Sequence, residues 1–297
     1  MTDAAPSPYT LTEGSFQSSR GIQIYTRKYI PTDPYNTVLL FLHGVGEHCS
    51  RFHSTFETFA AHHIAVYAMD HRGHGRSGGK RHDCACFDEF TDDIAAFTKI
   101  LRADHSSQPS MRYVVSGISF GGLLAASTAA AAPANHWDGL MLFAPAIGIE
   151  MTPTLKIQQA FAPILGFIAP TWQVVPAVDT NLLSRNEAFL EAYRTDPLND
   201  HSLLRVRLAL SIKNGMDVLD RTRGNIKMPV LIFHGEADKV TSPTISKAFY
   251  DALATEKEYK SLPGQFHCLL DEPERDETIR AAIEWTRGPK SSNPTSC

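Results

Sequence analysis

The sequence predicts an α/β fold: a mostly parallel central sheet with helices on both faces and an inserted helical segment, or cap. Continuous apolar runs alternate with segments of helical spacing, which suits strands buried on both faces. That rhythm stops at about residue 147 and resumes near 205, across a stretch holding Pro153, Pro163, Pro170, Pro176 and Pro197. Between one apolar run, Tyr113-Val114-Val115, and a small-residue helix beginning at Gly122 lies Gly117-Ile118-Ser119-Phe120-Gly121. This is a G-x-S-x-G motif in the strand, turn, helix setting that it requires.

In chain order, residues 1–8 are expected to be disordered. Phe16-Gln17 and Ile22 to Tyr29 bracket the turn Ser18-Ser19-Arg20-Gly21 and read as an antiparallel hairpin. Val38 to Leu42 is a buried strand that runs into His43-Gly44-Val45-Gly46-Glu47-His48. Arg51 to Ala61 has helical spacing through Phe52, Phe56, Phe59 and Ala60. Ile64 to Met69 is the next strand, closed by Asp70-His71-Arg72-Gly73-His74-Gly75-Arg76-Ser77. Asp88 to Leu101 reads as a helix, with acidic residues in its first turn and Lys99 and Arg102 near its end, as the helix dipole prefers. After the strand at Gly139–Ala144 the insertion shows no strand pattern. Then come a helix near His201–Leu219, a strand at Val230–Phe233, a helix at Thr244–Ala254, a strand at Glu258–Leu262 and a last helix at Pro273–Arg287. The expected organisation is a core of 9–146 and 206–288, a cap at 147–205 and a flexible tail at 289–297.

Composition narrows the function classes. The chain has 297 residues, of which 43% are hydrophobic, enough for one large domain with an insertion. Net charge is −4 and no Lys/Arg run points to nucleic acid. The first residues have neither a basic stretch nor an apolar one, so no signal peptide is read. No apolar run approaches the roughly 18–20 residues of a spanning helix. The five cysteines, Cys49, Cys84, Cys86, Cys268 and Cys297, fit no zinc or redox spacing and suggest reduced thiols in the cytoplasm.

A serine hydroxyl needs a base to become nucleophilic, and the base needs an orienting acid. Asp238 follows the strand at Val230–Phe233, and His267 follows the last strand, so Ser119, Asp238 and His267 stand in the required chain order. Glu236 is the rival acid, but its place in the loop fits that context less well. Oxyanion donors are expected at the backbone N–H of Phe120 and, in the His43-Gly44-Val45-Gly46 turn, of Val45. No metal or cofactor is required. Gly73-His74-Gly75-Arg76-Ser77-Gly78 matches a dinucleotide fingerprint, but loop residues follow it where a helix should open. The histidines at 43, 48 and 53 and at 71, 74 and 82 lack ligand spacing.

The blocks His43-Gly44-Val45-Gly46-Glu47-His48, Asp70 to Ser77, Gly117 to Gly122, Ser184-Arg185-Asn186, Asp196-Pro197-Leu198, Ala237-Asp238-Lys239-Val240 and Pro263 to Leu270 span most of the chain. Together they resemble α/β-hydrolases of the monoacylglycerol lipase and lysophospholipase group. The resemblance implies a Ser119, Asp238, His267 triad, oxyanion donors at Val45 and Phe120, and a cap over an acyl-binding tunnel. It also implies that Glu47 and Arg51 lie near the polar end of a lipid ester. Ile147, Phe161, Leu165 and Val240 are the apolar candidates for substrate contact. Two departures concern specificity and regulation. Leu270 stands where the mammalian monoacylglycerol lipase has a second histidine, and the reactive cap cysteines are absent. Ile118 replaces the histidine common before the nucleophile.

The cap run Ala160 to Pro170 is too short to span a bilayer. Ile157, Phe161, Ile164, Leu165 and Ile168 share one helical face, which either packs on the cap core or docks peripherally on a membrane. Lysophospholipase, general carboxylesterase and, on the same core, aminopeptidase or non-catalytic receptor remain the alternatives to monoacylglycerol hydrolysis.

Overall fold

The computed structural model describes residues 7–150, 164–176 and 178–288. An eight-stranded sheet runs in the order β1-β2-β4-β3-β5-β6-β9-β10. The hairpin β1 (Tyr9–Gln17) and β2 (Gln23–Pro31) is antiparallel, and β2 meets β4 (Ile64–Met69) antiparallel. The other strands are β3 (Thr37–Leu42), β5 (Arg112–Ile118), β6 (Gly139–Phe143), β9 (Val230–Gly235) and β10 (Lys257–Leu262), and they pair in parallel.

The apolar runs are continuous because each central strand feeds two cores. Leu39, Phe41, Val66, Val114, Met141, Phe143, Leu231 and Phe233 pack with α1 (His53–Ala61) and α7 (Arg275–Thr286). Val38, Leu40, Leu42, Tyr67, Val115, Leu140, Leu142 and Ile232 pack on the opposite face. There they meet α2 (Asp88–Asp104), α3 (Phe120–Ala131), α5 (Val206–Thr222) and α6 (Pro243–Ala252). Burying each such Leu, Val or Phe contributes about 1.5–3 kcal/mol. The rings of Phe143 and Phe233 stack at 5.0 Å between neighbouring strands.

The chain leaves the sheet after β6 and returns at β9. The described part of this insertion holds a helical turn at 164–168, a 3₁₀ turn at Thr180–Leu182 and α4 (Glu187–Thr195). It also holds a small antiparallel pair, β7 (Gln173–Val175) with β8 (Leu204–Arg205), which corrects the expectation of no strand there. This pair is too short to leave a periodic pattern. Because residues 204 and 205 are extended, α5 begins at Val206, later than the predicted His201. At the N-terminus, the Pro8 carbonyl accepts the Thr32 N–H at 3.0 Å, and β1 already runs from Tyr9, ahead of the predicted Phe16. Its side chains are mostly exposed, as on an edge strand, so no apolar alternation announced it.

Chain order places the functional loops. β4 lies on one side of β3 and β5 on the other, so the strand order reverses between β3 and β5. Loops after the carboxyl ends of such strands form a crevice. The turn after β5 passes through Ser119 at φ 54°, ψ −121°. The two flanking glycines permit it. A Cβ on Gly117 would lie 2.2 Å from the Gly121 carbonyl oxygen, and one on Gly121 would lie 2.0 Å from that of Leu42.

Beneath the turn after β3 sits a run of buried imidazoles. The His71 N–H donates to His43 Nε2 at 2.9 Å, so His43 carries its proton on Nδ1 and donates to the Gly44 carbonyl at 2.7 Å. The rings of His43 and His71 are 4.1 Å apart, and those of His74 and His82 are 5.8 Å apart. Burial is the main force holding these imidazoles neutral, lowering His71 to about 3, His74 to about 4 and His43 well below the usual value.

Two outcomes follow from this packing. Gly121→Ala drives a Cβ into backbone and destabilises the protein by about 3 kcal/mol, read from the midpoint of a urea titration. The buried imidazoles have folded-state pKa values below the unfolded value of about 6.5, so the native state is the proton-poor one. Their stabilisation is complete above pH ~6.5 and falls as pH drops toward the folded values near 3 and 4. Asp271, raised to about 6 by burial, and Asp93, also raised by burial, work in the other direction, but they are outnumbered by the lowered imidazoles of His43, His71, His74, His82 and His136. The melting temperature therefore declines between pH 6.5 and 4, as scanning calorimetry across that range would record.

Candidate active site

Ser119 opens α3 as its N-cap and is 8% exposed. Its N–H donates to the Phe143 carbonyl at 3.0 Å, and its own carbonyl accepts from Ala146 at 2.9 Å and Leu123 at 3.2 Å. These bonds hold a backbone conformation that costs about 1–3 kcal/mol in isolation. Phe120 is the first residue of α3, where N–H groups have no acceptor within the helix.

Asp238 lies in the turn after β9. Its Oδ1 accepts the N–H groups of Val240 at 2.7 Å and Thr241 at 3.0 Å. Its Oδ2 accepts the Thr241 hydroxyl at 2.8 Å and His267 Nδ1 at 2.9 Å. His267, in the loop after β10, is 3% exposed. Burial opposes the charge of Asp238, but the neighbouring His267 and His234 rings and the Thr241 backbone amide outweigh it. They hold the carboxyl well below the usual range. Glu236, by contrast, faces outward and accepts from Ser261 Oγ at 2.8 Å on the exposed rim.

The turn after β3 is set by Glu47. Its Oε1 accepts the Gly44 N–H at 2.6 Å and its Oε2 accepts Arg51 Nε at 3.2 Å. The Gly44 amide is therefore occupied, while half-buried Val45 lines the cavity at Ser119. Arg51 has a side chain only 6% exposed. It lies 3.7 Å from Asp271 and stacks beneath the rings of Phe189 and Tyr193, at 4.6 and 4.5 Å.

A small cavity joins these elements, lined by Gly44, Val45, Glu47, Ser119, Tyr193 and His267, with Cys268 beside them. Its volume of about 20 Å³ holds a water molecule rather than an acyl chain. Burial raises the Cys268 thiol well above its usual pKa, so it is not a ready thiolate.

The structure thus brings together Ser119, His267, Asp238, Val45, Phe120 and Glu47. It places the other candidates elsewhere. Arg51 stands behind Glu47 and does not line the cavity. Val240 packs with Leu183, Phe189, Leu190, Tyr193 and Cys268 beside it. Ile147 is buried in the core on the α3 side, because its N–H closes a tight turn onto Pro145. Leu165 is 36% exposed on the cap surface, so neither residue touches the cavity. Phe161 lies outside the described residues. Sequence reasoning missed Tyr193, Leu183, Val178, Thr241 and His234. The first three reach the site only through docking of the insertion, while Thr241 and His234 flank Asp238 in a segment whose spacing was legible.

The insertion is tied down by ion pairs and backbone bonds. Glu272, fully buried, accepts Ser184 Oγ at 2.6 Å, Arg185 N–H at 2.7 Å and Arg185 Nε at 2.6 Å. Asp200 N–H donates to the Gly46 carbonyl at 2.8 Å, and His48 Nε2 contacts Asp196 at 2.9 Å.

Comparison with known proteins agrees with this architecture. The family model described as serine aminopeptidase, S33 matches residues 33–274. The chain is 31% identical to the monoacylglycerol lipase of Mycolicibacterium smegmatis over 93% of its length and 97% of that protein. It is 26% identical to the human monoglyceride lipase over 85% of its length and 82% of that protein. The crystal structure of Paleococcus ferrophilus monoacylglycerol lipase superposes with a TM-score of 0.78 at 29% identity, covering 89% of this chain and 98% of that one. The chain belongs to the serine aminopeptidase S33 family of α/β-hydrolases.

Proposed function

We propose that this protein is a serine ester hydrolase of the monoacylglycerol lipase type, acting through an acyl-enzyme on Ser119. The observation that carries the reading is the Asp238–His267 contact of 2.9 Å, with His267 lining the same cavity as Ser119. His267 accepts the Oγ proton as Oγ attacks the ester carbonyl, and the amides of Val45 and Phe120 hold the oxyanion. Asp238 fixes the Nδ1–H tautomer and stabilises the imidazolium. His267 then passes the proton to the leaving alcohol, and a water activated by His267 releases the fatty acid. Support for the substrate class comes from the relatives named as monoacylglycerol lipases.

An aminopeptidase would need carboxylates free to hold an α-ammonium group beside Ser119. Among the described residues Glu47 is the carboxylate that lines the cavity, and both its oxygens are already engaged by Gly44 and Arg51. The cavity's volume of about 20 Å³ also means that an acyl chain enters only when the insertion, with Tyr193 and Leu183, moves away from Ser119.

We further place a peripheral membrane contact on the insertion. Phe167 is 90% exposed and Ile168 71%, with Ile164, Trp172, Val174 and Leu203 also exposed. Among the described residues no helix is long and apolar enough to cross a membrane. Single-chain lipids partition into bilayers, so an apolar rim of this kind brings the site to its substrate.

A fluorophosphonate probe labels Ser119 stoichiometrically, and Ser119→Ala abolishes labelling and lowers kcat roughly 10⁶-fold. Asp238→Asn lowers kcat by roughly 10⁴-fold. Wild-type protein left unlabelled would end the hydrolase reading. On a panel of monoacylglycerols, lysophospholipids, short-chain esters and aminoacyl anilides, monoacylglycerols give the highest kcat/KM. Faster anilide cleavage would reverse the assignment. In vesicle flotation the wild type rises with phosphatidylcholine liposomes, and the double variant Phe167→Ser, Ile168→Ser stays at the bottom with unchanged hydrolysis of a soluble short-chain ester. Equal flotation of both proteins would refute the membrane contact.

A further inference from the structure

We propose that His234 is a positioning residue of the hydrolytic site, its Nε2–H bonded to the Thr241 carbonyl and held 3.2 Å from Asp238 Oδ2, which keeps that oxygen in line with His267. The inference rests on the hydrolase reading above, in which Asp238 orients the base.

His234 is the penultimate residue of β9 and is 1% exposed. Its Nε2 lies 3.2 Å from Asp238 Oδ2, 3.3 Å from Thr241 Oγ1 and 3.4 Å from the Thr241 carbonyl oxygen. A carboxylate and a carbonyl only accept, so Nε2 bears the proton. The other nitrogen, Nδ1, is buried and has no hydrogen-bond partner among the described residues. A second proton there would be an unpaired buried donor, so the ring is neutral. The Thr241 hydroxyl, 2.8 Å from Oδ2, donates to the same oxygen.

Asp238 is therefore divided in its duties. Oδ1 is fastened to the backbone amides of Val240 and Thr241, which fixes the plane of the carboxylate. Oδ2 receives His267 and Thr241, with the His234 Nε2–H 3.2 Å away on a third side. Two consequences follow for catalysis. The carboxylate cannot swing away from His267 while its second oxygen is held from three directions. Part of its negative charge is also spent on the neutral donor His234, so the pull of Asp238 on a protonated His267 is moderated. Removing the His234 donor then strengthens that pull and makes His267 harder to deprotonate, while loosening its aim.

Other titratable groups reached by the charge of Asp238 are Tyr259 of β10 and Cys268 beside His267. Burial pushes both upward, so neither ionises in the range where the acid limb of the rate profile lies. His43, His71 and His74 lie under the β3 turn and are held neutral by burial, below that range.

The test is the pH profile of kcat/KM on a soluble p-nitrophenyl ester, with His234→Leu, His234→Gln and His234→Asn beside wild type. A glutamine amide reaches the position of Nε2, whereas an asparagine amide stops short of it. The expected result is a kcat lower by roughly tenfold to a hundredfold in His234→Leu with KM within about twofold, and an acid limb moved upward by about half a pH unit. His234→Gln regains most of kcat and the wild-type limb, and His234→Asn behaves as His234→Leu. If His234→Leu does not fold by thermal melting, the Gln and Asn pair decides alone. Identical limbs and kcat for Gln and Asn, or a His234→Leu profile matching wild type, overturns the proposal. Asp238→Asn is measured in parallel. If it too keeps wild-type activity, the hydrolase reading fails, whereas loss there with no effect at His234 defeats the positioning role alone.

Discussion

Between β5 and α3 the backbone turns through a left-handed serine, and the site depends on that turn staying tight. Ser119 stays at φ 54° because Gly117 and Gly121 let α3 close against the carboxyl end of β3, where a Cβ would meet the carbonyl oxygens of Gly121, Leu42 and His43. That close approach sets Gly44 beside Ser119, since a Cβ on Gly44 would lie 3.4 Å from the Ser119 Cβ. The turn after β3 thereby lies beside the start of α3. A helix displaced outward by even one methyl group would separate the two proposed oxyanion donors. The strain is local, and the hydrogen bonds from Ser119 to Phe143 and from Leu123 and Ala146 to Ser119 hold it.

Around this turn the buried charges of Arg51 and Glu47 are paired. Arg51 is matched by Glu47 and Asp271 and covered by two aromatic rings. Glu47 spends its other oxygen on the Gly44 amide, so one carboxylate both neutralises a buried cation and shapes the turn after β3. A buried pair of this kind adds little net stability, because desolvation offsets most of the attraction, but deleting one partner is costly. The insertion is linked to the same system. Asp200 closes on Gly46, Asp196 on His48 and Ser184 on Glu272, so the segment that covers Ser119 is fastened to the very loops that border it. Motion of the cover and the geometry of the site are therefore coupled through short polar contacts.

The strands β3, β4, β5, β6 and β9 were legible because a sheet strand covered on both faces must be largely apolar, and Val38–Leu42, Ile64–Met69 and Val230–Phe233 are. Ser119, Asp238 and His267 stood out because each follows such a strand in a fixed order. Of the edge strand β1 only the end, Phe16-Gln17, was legible, since most of its side chains face water. β7 and β8 left none because three residues and two do not make a period. Ile147 and Leu165 show the limit of reading apolar residues as substrate contacts. One is in the core and the other on the surface, and their composition alone does not separate the two.

By itself, then, the sequence determined what local patterning can carry: the alternation of strands and helices, the strained serine turn and the order of the groups that follow the strands. Tertiary structure alone decided which side chains meet across long separations. His267 meets Asp238 only because the loop after β10 packs against the loop after β9. Tyr193 and Leu183 reach Ser119 only because the insertion docks through Glu272, far along the chain from Ser184. Burial and hydrogen bonding between distant segments are set by how layers pack, and a one-dimensional pattern records only whether a residue prefers water or the core.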